Sequence, residues 1–165
     1  MIPVNEAIET GVWLRAELSP KYREDFEANE GESVQIRVKI LGLSKIDLAK
    51  QILHETPQGM HHMYPPDRNI WALTLNIVNL CKRQIQTIQI NPRLLLADEH
   101  GYEYSYLEDP YLSNQTGYGK ENGLSAYSNC SFPPKIKRLG SLPYELPEEI
   151  EQLFFKIGSG TLSEA

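Results

Sequence analysis

The stretch from Trp71 to Tyr106 carries the clearest alternation in the chain. Trp71, Leu73, Leu75 and Ile77 alternate with Ala72, Thr74, Asn76 and Val78. A period of two, rich in β-branched and aromatic residues, predicts a strand with one fully apolar face. Asn79 to Arg83 breaks the run. Ile85, Ile88 and Ile90 follow, with Thr87 between them, and the odd-to-even shift in their spacing predicts a bulge or bend. Pro92 lacks a backbone donor and predicts an interrupted ladder or an edge. Leu94 to Leu96 resumes a strand, Asp98-Glu99-His100-Gly101 forms a turn, and Tyr102, Tyr104 and Tyr106 alternate beyond it. Asp bonds its own backbone and Gly accepts a positive φ, so a hairpin is expected here.

The rest of the chain extends the pattern. Residues 1–11 read as a short lead-in. Val12, Leu14, Ala16 and Leu18 alternate with polar residues and Trp13, which predicts a first strand with one wet face. Val34, Ile36, Val38 and Ile40 predict a half-buried strand that Gly42 ends. Ser44 to Leu53 fits either a strand or a short helix, and its spacing with Ser44 as N-cap favours a short helix or turn. Residues 54–69 are expected to be a loop, because Pro57, Gly59, Pro65 and Pro66 exclude regular structure. Residues 107–132 form a second, longer loop rich in Gly, Asn, Ser and Tyr. Ile136 to Leu142 predicts a strand ending near Pro143-Tyr144. Leu146 to Ile150 predicts a helical turn with Pro147 first and acids following. Gln152 to Ile157 is the last strand, and 158–165 a polar, disordered tail. About seven or eight short strands without βα alternation predict an all-β fold, an antiparallel immunoglobulin-like β-sandwich with one or two short helical turns. Residues 1–165 make one domain, its core spanning about 12–157.

Composition narrows the function classes. A chain of 165 residues buries enough surface to need no staple. Its hydrophobic fraction of 41% and charged fraction of 23% are those of an ordinary globular protein. A net charge of −6 argues against a general nucleic-acid partner, which needs a basic face. Lys135, Lys137 and Arg138 form a local basic cluster, read as an exposed strand or loop face. No apolar run approaches the ~20 residues that cross a bilayer, so no membrane partner is expected. The N-terminus lacks a basic region followed by an apolar one, which points to a cytoplasmic protein. In that compartment Cys81 and Cys130 are expected as free thiols, and the glycosylation patterns at Asn114 and Asn129 are coincidental.

Candidate chemistry is sparse. There is no GxSxG, P-loop, GxGxxG, HExxH or CxxC pattern. The acidic residues Glu24, Asp25, Glu27, Glu30 and Glu32 do not match a calcium-loop spacing and read as an acidic loop or turn. His54, His61 and His62 lie in one loop, the weak candidates for a metal, with His100 a further one; their spacing matches no recognised zinc pattern. Asp98-Glu99-His100 reads as turn chemistry, since adjacent residues there point in different directions. Tyr64, Tyr106, Tyr111, Tyr118 and Tyr127 are the binding candidates, because tyrosines on loops give rigid, amphipathic contact area. The expected function is therefore a non-catalytic protein-binding or assembly module without cofactor, whose partner is another protein or a further copy of the chain. A metal-binding protein or metalloenzyme built on the histidine loop is the first alternative. A structural subunit that self-associates through a sheet edge is the second.

One resemblance sharpens the fold. Asn79 ends an alternating strand. Leu96, Asp98, Gly101 and Tyr104 fit a Leu-x-Asp-x-x-Gly-x-x-Tyr hairpin, and Tyr144-Glu145-Leu146-Pro147 follows Gly140 as an aromatic-acid-apolar-Pro run. In these features residues 70–157 resemble the telokin-like, immunoglobulin-type sandwich domains of uncharacterised bacterial proteins. Pro133-Pro134 stands where that family has a Pro-Gly step, and residues 42–69 have no counterpart in it. The resemblance implies a sandwich fold and no catalytic residues.

Overall fold

The structure, a computed structural model, describes residues 1–19, 33–48, 54–56, 59–61, 67–107 and 131–165, with the backbone alone for 54–56 and 59–61. In chain order the elements are β1 (Ile2–Pro3), α1 (Val4–Thr10), β2 (Trp13–Leu18), β3 (Val34–Lys45), β4 (His54–Thr56), β5 (Gly59–His61) and β6 (Ile70–Asn79). They continue with β7 (Ile85–Gln86), β8 (Leu94–Asp98), β9 (Glu103–Tyr104), β10 (Ser131–Phe132), β11 (Lys137–Glu145), β12 (Leu153–Ile157) and β13 (Gly160–Glu164). A five-stranded sheet runs in the order β11-β6-β3-β2-β13, and a four-stranded sheet in the order β1-β12-β8-β9. Every pairing in both sheets is antiparallel. The expected antiparallel immunoglobulin-like β-sandwich is the fold found. Among the described residues, seven strands have five residues or more.

The alternating residues form the core. Leu14, Ala16 and Leu18 of β2, Val34, Ile36, Val38 and Ile40 of β3, and Leu73, Leu75 and Ile77 of β6 pack in one cluster with Leu94, Leu96, Phe155 and Ile157 of the other sheet. Tyr144 ties the sheets together, since its buried hydroxyl on β11 donates to the Leu94 carbonyl on β8 at 2.7 Å. β6 is an interior strand buried on both faces: Ile70 and Ala72 pack with Ile46 and Leu48 in a second, smaller cluster.

Several local expectations are corrected. The lead-in is not irregular: residues 4–10 form α1, whose Val4 and Ala7 enter the main core and whose C-cap, Gly11, takes φ 61. Gly42 does not end β3, because the strand continues to Lys45 across a register shift between Ile40 and Gly42. This bulge absorbs one residue and re-aims the segment towards the smaller cluster. Of the short helix or turn expected at 44–53, Ser44 and Lys45 are strand instead and Leu48 is in 3₁₀ conformation; residues 49–53 lie outside the described residues. The expected loop carries regular structure: β4 and β5 pair antiparallel, from His54 with His61 to Thr56 with Gly59. The expected bend after Ile85 is a short β7 followed by two 3₁₀ turns, Thr87–Gln89 and Asn91–Arg93, with Pro92 among their first positions. Residues 146–150 contain no helical turn: they are irregular with a bend at Glu148, and the Leu146 and Pro147 carbonyls accept the Asn69 side-chain amide instead. The tail expected to be disordered supplies β13, paired to β2 along its whole length. The expected hairpin of β8 and β9 is present, with Gly101 at φ 87 and the Asp98 carboxylate accepting the amides of His100 and Tyr102, both at 2.9 Å.

Candidate functional site

At one end of the sandwich, the step from β11 to β12 crosses the start of β6 and the N-terminal turn of α1, leaving a cleft of about 220 Å³. Asn69, immediately before β6, builds it. Its amide donates to the carbonyls of Leu146 at 3.0 Å and Pro147 at 3.2 Å, and its own backbone carbonyl accepts the Leu146 amide at 3.0 Å. Its side-chain oxygen accepts the Trp71 indole N–H at 3.1 Å. With that N–H engaged, Trp71 offers the cleft ring carbon rather than a donor. Leu43, Ile150 and Leu153 complete an apolar floor, and the exposed Glu148 and Glu151 stand on the rim. Among the described residues neither glutamate has a cationic partner. Beside the cleft Arg68 pairs with Glu145, and this bond holds the Glu145 carboxyl below its ordinary value.

Of the site candidates read from the sequence, those among the described residues do not line the cleft. Tyr106 is half-buried and packs against the main core. Tyr64, Tyr111, Tyr118 and Tyr127 lie outside the described residues, as do His62, Cys130 and the acidic stretch 24–32. His54 and His61 are Cα partners in the β4–β5 ladder. His100 is exposed, 3.7 Å from Glu99. Among the described residues no group of three or more His, Cys, Asp or Glu is placed to hold a metal ion. Cys81 is a free thiol. No helix among the described residues is long and apolar enough to cross a membrane.

Asp98 is the most heavily bonded carboxylate of the hairpin. Burial opposes its ionisation, but the Tyr102 amide, the Tyr104 hydroxyl at 3.1 Å and the His100 amide outweigh that and hold its pKa below the ordinary value. Tyr104 shifts the opposite way: burial and its bond to the Asp98 carboxylate push its hydroxyl up. This pair is spent on closing the turn.

The sequence alone places Trp71 on the apolar face of a strand, as found, and the acids after Pro147 in a helical turn, which is absent. What brings them together is the Asn69 contact across 77 residues of sequence, a long-range signal absent from any local pattern.

No protein-family model matches the chain, and no curated protein matches it. The fold is similar to a crystal structure described as that of a secreted protein from Mycobacterium tuberculosis, MPT63, with 11% identity and a TM-score of 0.46, covering 76% of this chain and 84% of that one. The cytoplasmic expectation stands against this finding, because the similar structure belongs to a protein described as secreted. That expectation rested only on the character of the first residues, and it is not carried further.

Proposed function

We propose that the chain is a non-catalytic protein-binding module that seats a cationic side chain of its partner in the end cleft. The observation that carries this reading is the cleft itself: a ring face and three aliphatic side chains below two carboxylates that have no cationic partner among the described residues. An arginine or lysine matches it, with its stem on Leu43 and Leu153, its cation over Trp71, and its charge met by Glu148 and Glu151. Size favours a side chain over a free small molecule. The cleft is about 220 Å³, whereas pockets for whole ligands usually span roughly 300–1,000 Å³.

The test is a titration of the ¹⁵N-labelled chain with short peptides containing lysine or arginine, read at the two indole signals. Trp71 is expected to shift saturably while Trp13 stays still, and Glu151→Lys is expected to abolish the shift. Movement of both indoles alike, or an unchanged response in the Glu151→Lys variant, would reject the cleft as the site.

The β4–β5 register favours a second reading. His54 and His61 are Cα partners in that ladder, and histidine is the commonest metal-ligating side chain. Calorimetric titration with zinc decides it: stoichiometric binding lost in the His54→Gln, His61→Gln double variant supports the reading, and a flat titration of the wild type removes it.

A further inference from the structure

The five-stranded sheet turns alternate residues away from the core, and its register aligns them in rows. Lys137, Val78, Arg37 and Arg15 form one row across β11, β6, β3 and β2. Leu139, Asn76, Lys39 and Trp13 form the next. The Arg37 guanidinium lies 4.8 Å from the centroid of the Trp13 ring, and the Lys39 ammonium 5.9 Å from it. Lys137 and Arg15 are exposed, as is Leu139 at 48%.

Among the described residues these cations have no carboxylate to neutralise them: none pairs with Arg15, Arg37, Lys39 or Lys137. Arg15 instead donates to the Gln35 side chain, and Glu17, the outward carboxylate of β2, is engaged by the Ser33 hydroxyl at 2.7 Å. Arg15 and Arg37 are directly opposite each other, a like-charge pair that destabilises the free sheet. The chain has 22 acidic residues against 16 basic ones, so four cations without a paired carboxylate among the described residues run against its composition.

We propose that this face docks an acidic protein segment. The partner's carboxylates meet Arg15, Arg37 and Lys137, relieving the repulsion within the row, and Trp13 with Leu139 supplies the apolar centre. Tryptophan and arginine are the residue types that dominate protein interfaces. A nucleic acid fits less well. It needs aromatic faces free for stacking, whereas the Trp13 ring is attended by two cations. The surface shares no residue with the end cleft, whose guest has the opposite charge.

The test uses the full chain and a fluorescein-labelled poly-L-glutamate peptide, followed by fluorescence anisotropy. Saturable, salt-sensitive binding is expected, weakened about tenfold or more by Arg37→Glu. That substitution sets a carboxylate opposite Arg15, so the variant is expected to melt no earlier than the wild type, which separates lost binding from lost fold. Lys137→Glu, on an exposed edge-strand position, provides a second variant with the same expected direction. Equal binding by wild type and both variants, or no binding by the wild type, overturns the proposal. Tighter binding to single-stranded oligothymidylate, or to phosphatidylserine vesicles, also overturns it and assigns the face to nucleic acid or to a membrane. Glu151→Lys is expected to leave poly-L-glutamate binding unchanged, so failure of this surface and failure of the cleft are read separately.

Discussion

Asp98 shows how one side chain sets a hairpin. Its carboxylate accepts two backbone amides and the Tyr104 hydroxyl, three donors that all prefer the ionised form. Because its folded pKa lies below the ordinary value of 3.8, the folded state binds its proton less readily than the unfolded chain does. The stability this confers is present above the unfolded value and is lost as pH falls through the folded one. Thermal melts followed by circular dichroism across the acid range should therefore show the wild type losing stability steeply below pH 3.8. Asp98→Asn should melt earlier at neutral pH and show a shallower acid slope. Parallel slopes for the two proteins would mean that Asp98 does not carry the effect. Tyr104 works in the other direction, since its raised pKa gives stability that fades as pH rises above the ordinary tyrosine value.

At the scale of elements, β13 is the least expected and the most constrained. It closes the free edge of β2, and its first residue allows no side chain: a Cβ on Gly160 would lie 2.2 Å from the Glu17 carbonyl oxygen. Gly160→Ala must therefore push two backbones apart, a cost of roughly 1–3 kcal/mol. Urea unfolding should show a lower midpoint at unchanged m-value, and a midpoint equal to that of the wild type would show that the β2–β13 contact is loose. This strand was not legible in the sequence, because an edge strand with one half-buried residue, Leu162, has no hydrophobic alternation to read. The same holds for α1, too short at seven residues to show a helical period. By contrast β2, β3, β6 and the β8–β9 hairpin announce themselves, since each buries one face or closes with Asp and Gly where the turn requires them. The two candidate binding surfaces follow the same logic. Trp13, Arg37 and Lys39 each read locally as the wet face of a strand, and only the register between strands gathers them.

The whole molecule carries two local fields of opposite sign under one negative total. The cleft rim presents Glu148 and Glu151, and the outer sheet presents Arg15, Arg37, Lys39 and Lys137. Net charge governs long-range repulsion, whereas contacts within a screening length of about 8 Å at physiological salt govern docking. A pair of charge reversals separates the two. Arg37→Glu makes the chain two units more negative, and adding Glu151→Lys restores the total of −6. If net charge controlled the binding of poly-L-glutamate, the double variant would recover the wild-type affinity. If the local field controls it, the double variant binds as weakly as Arg37→Glu alone and has also lost the response of Trp71 to cationic peptides. We expect the second result at physiological salt, because the two sites share no residue and distant substitutions act additively. Recovery of affinity in the double variant would reduce the outer face to a contributor to overall charge and leave the cleft as the site to pursue.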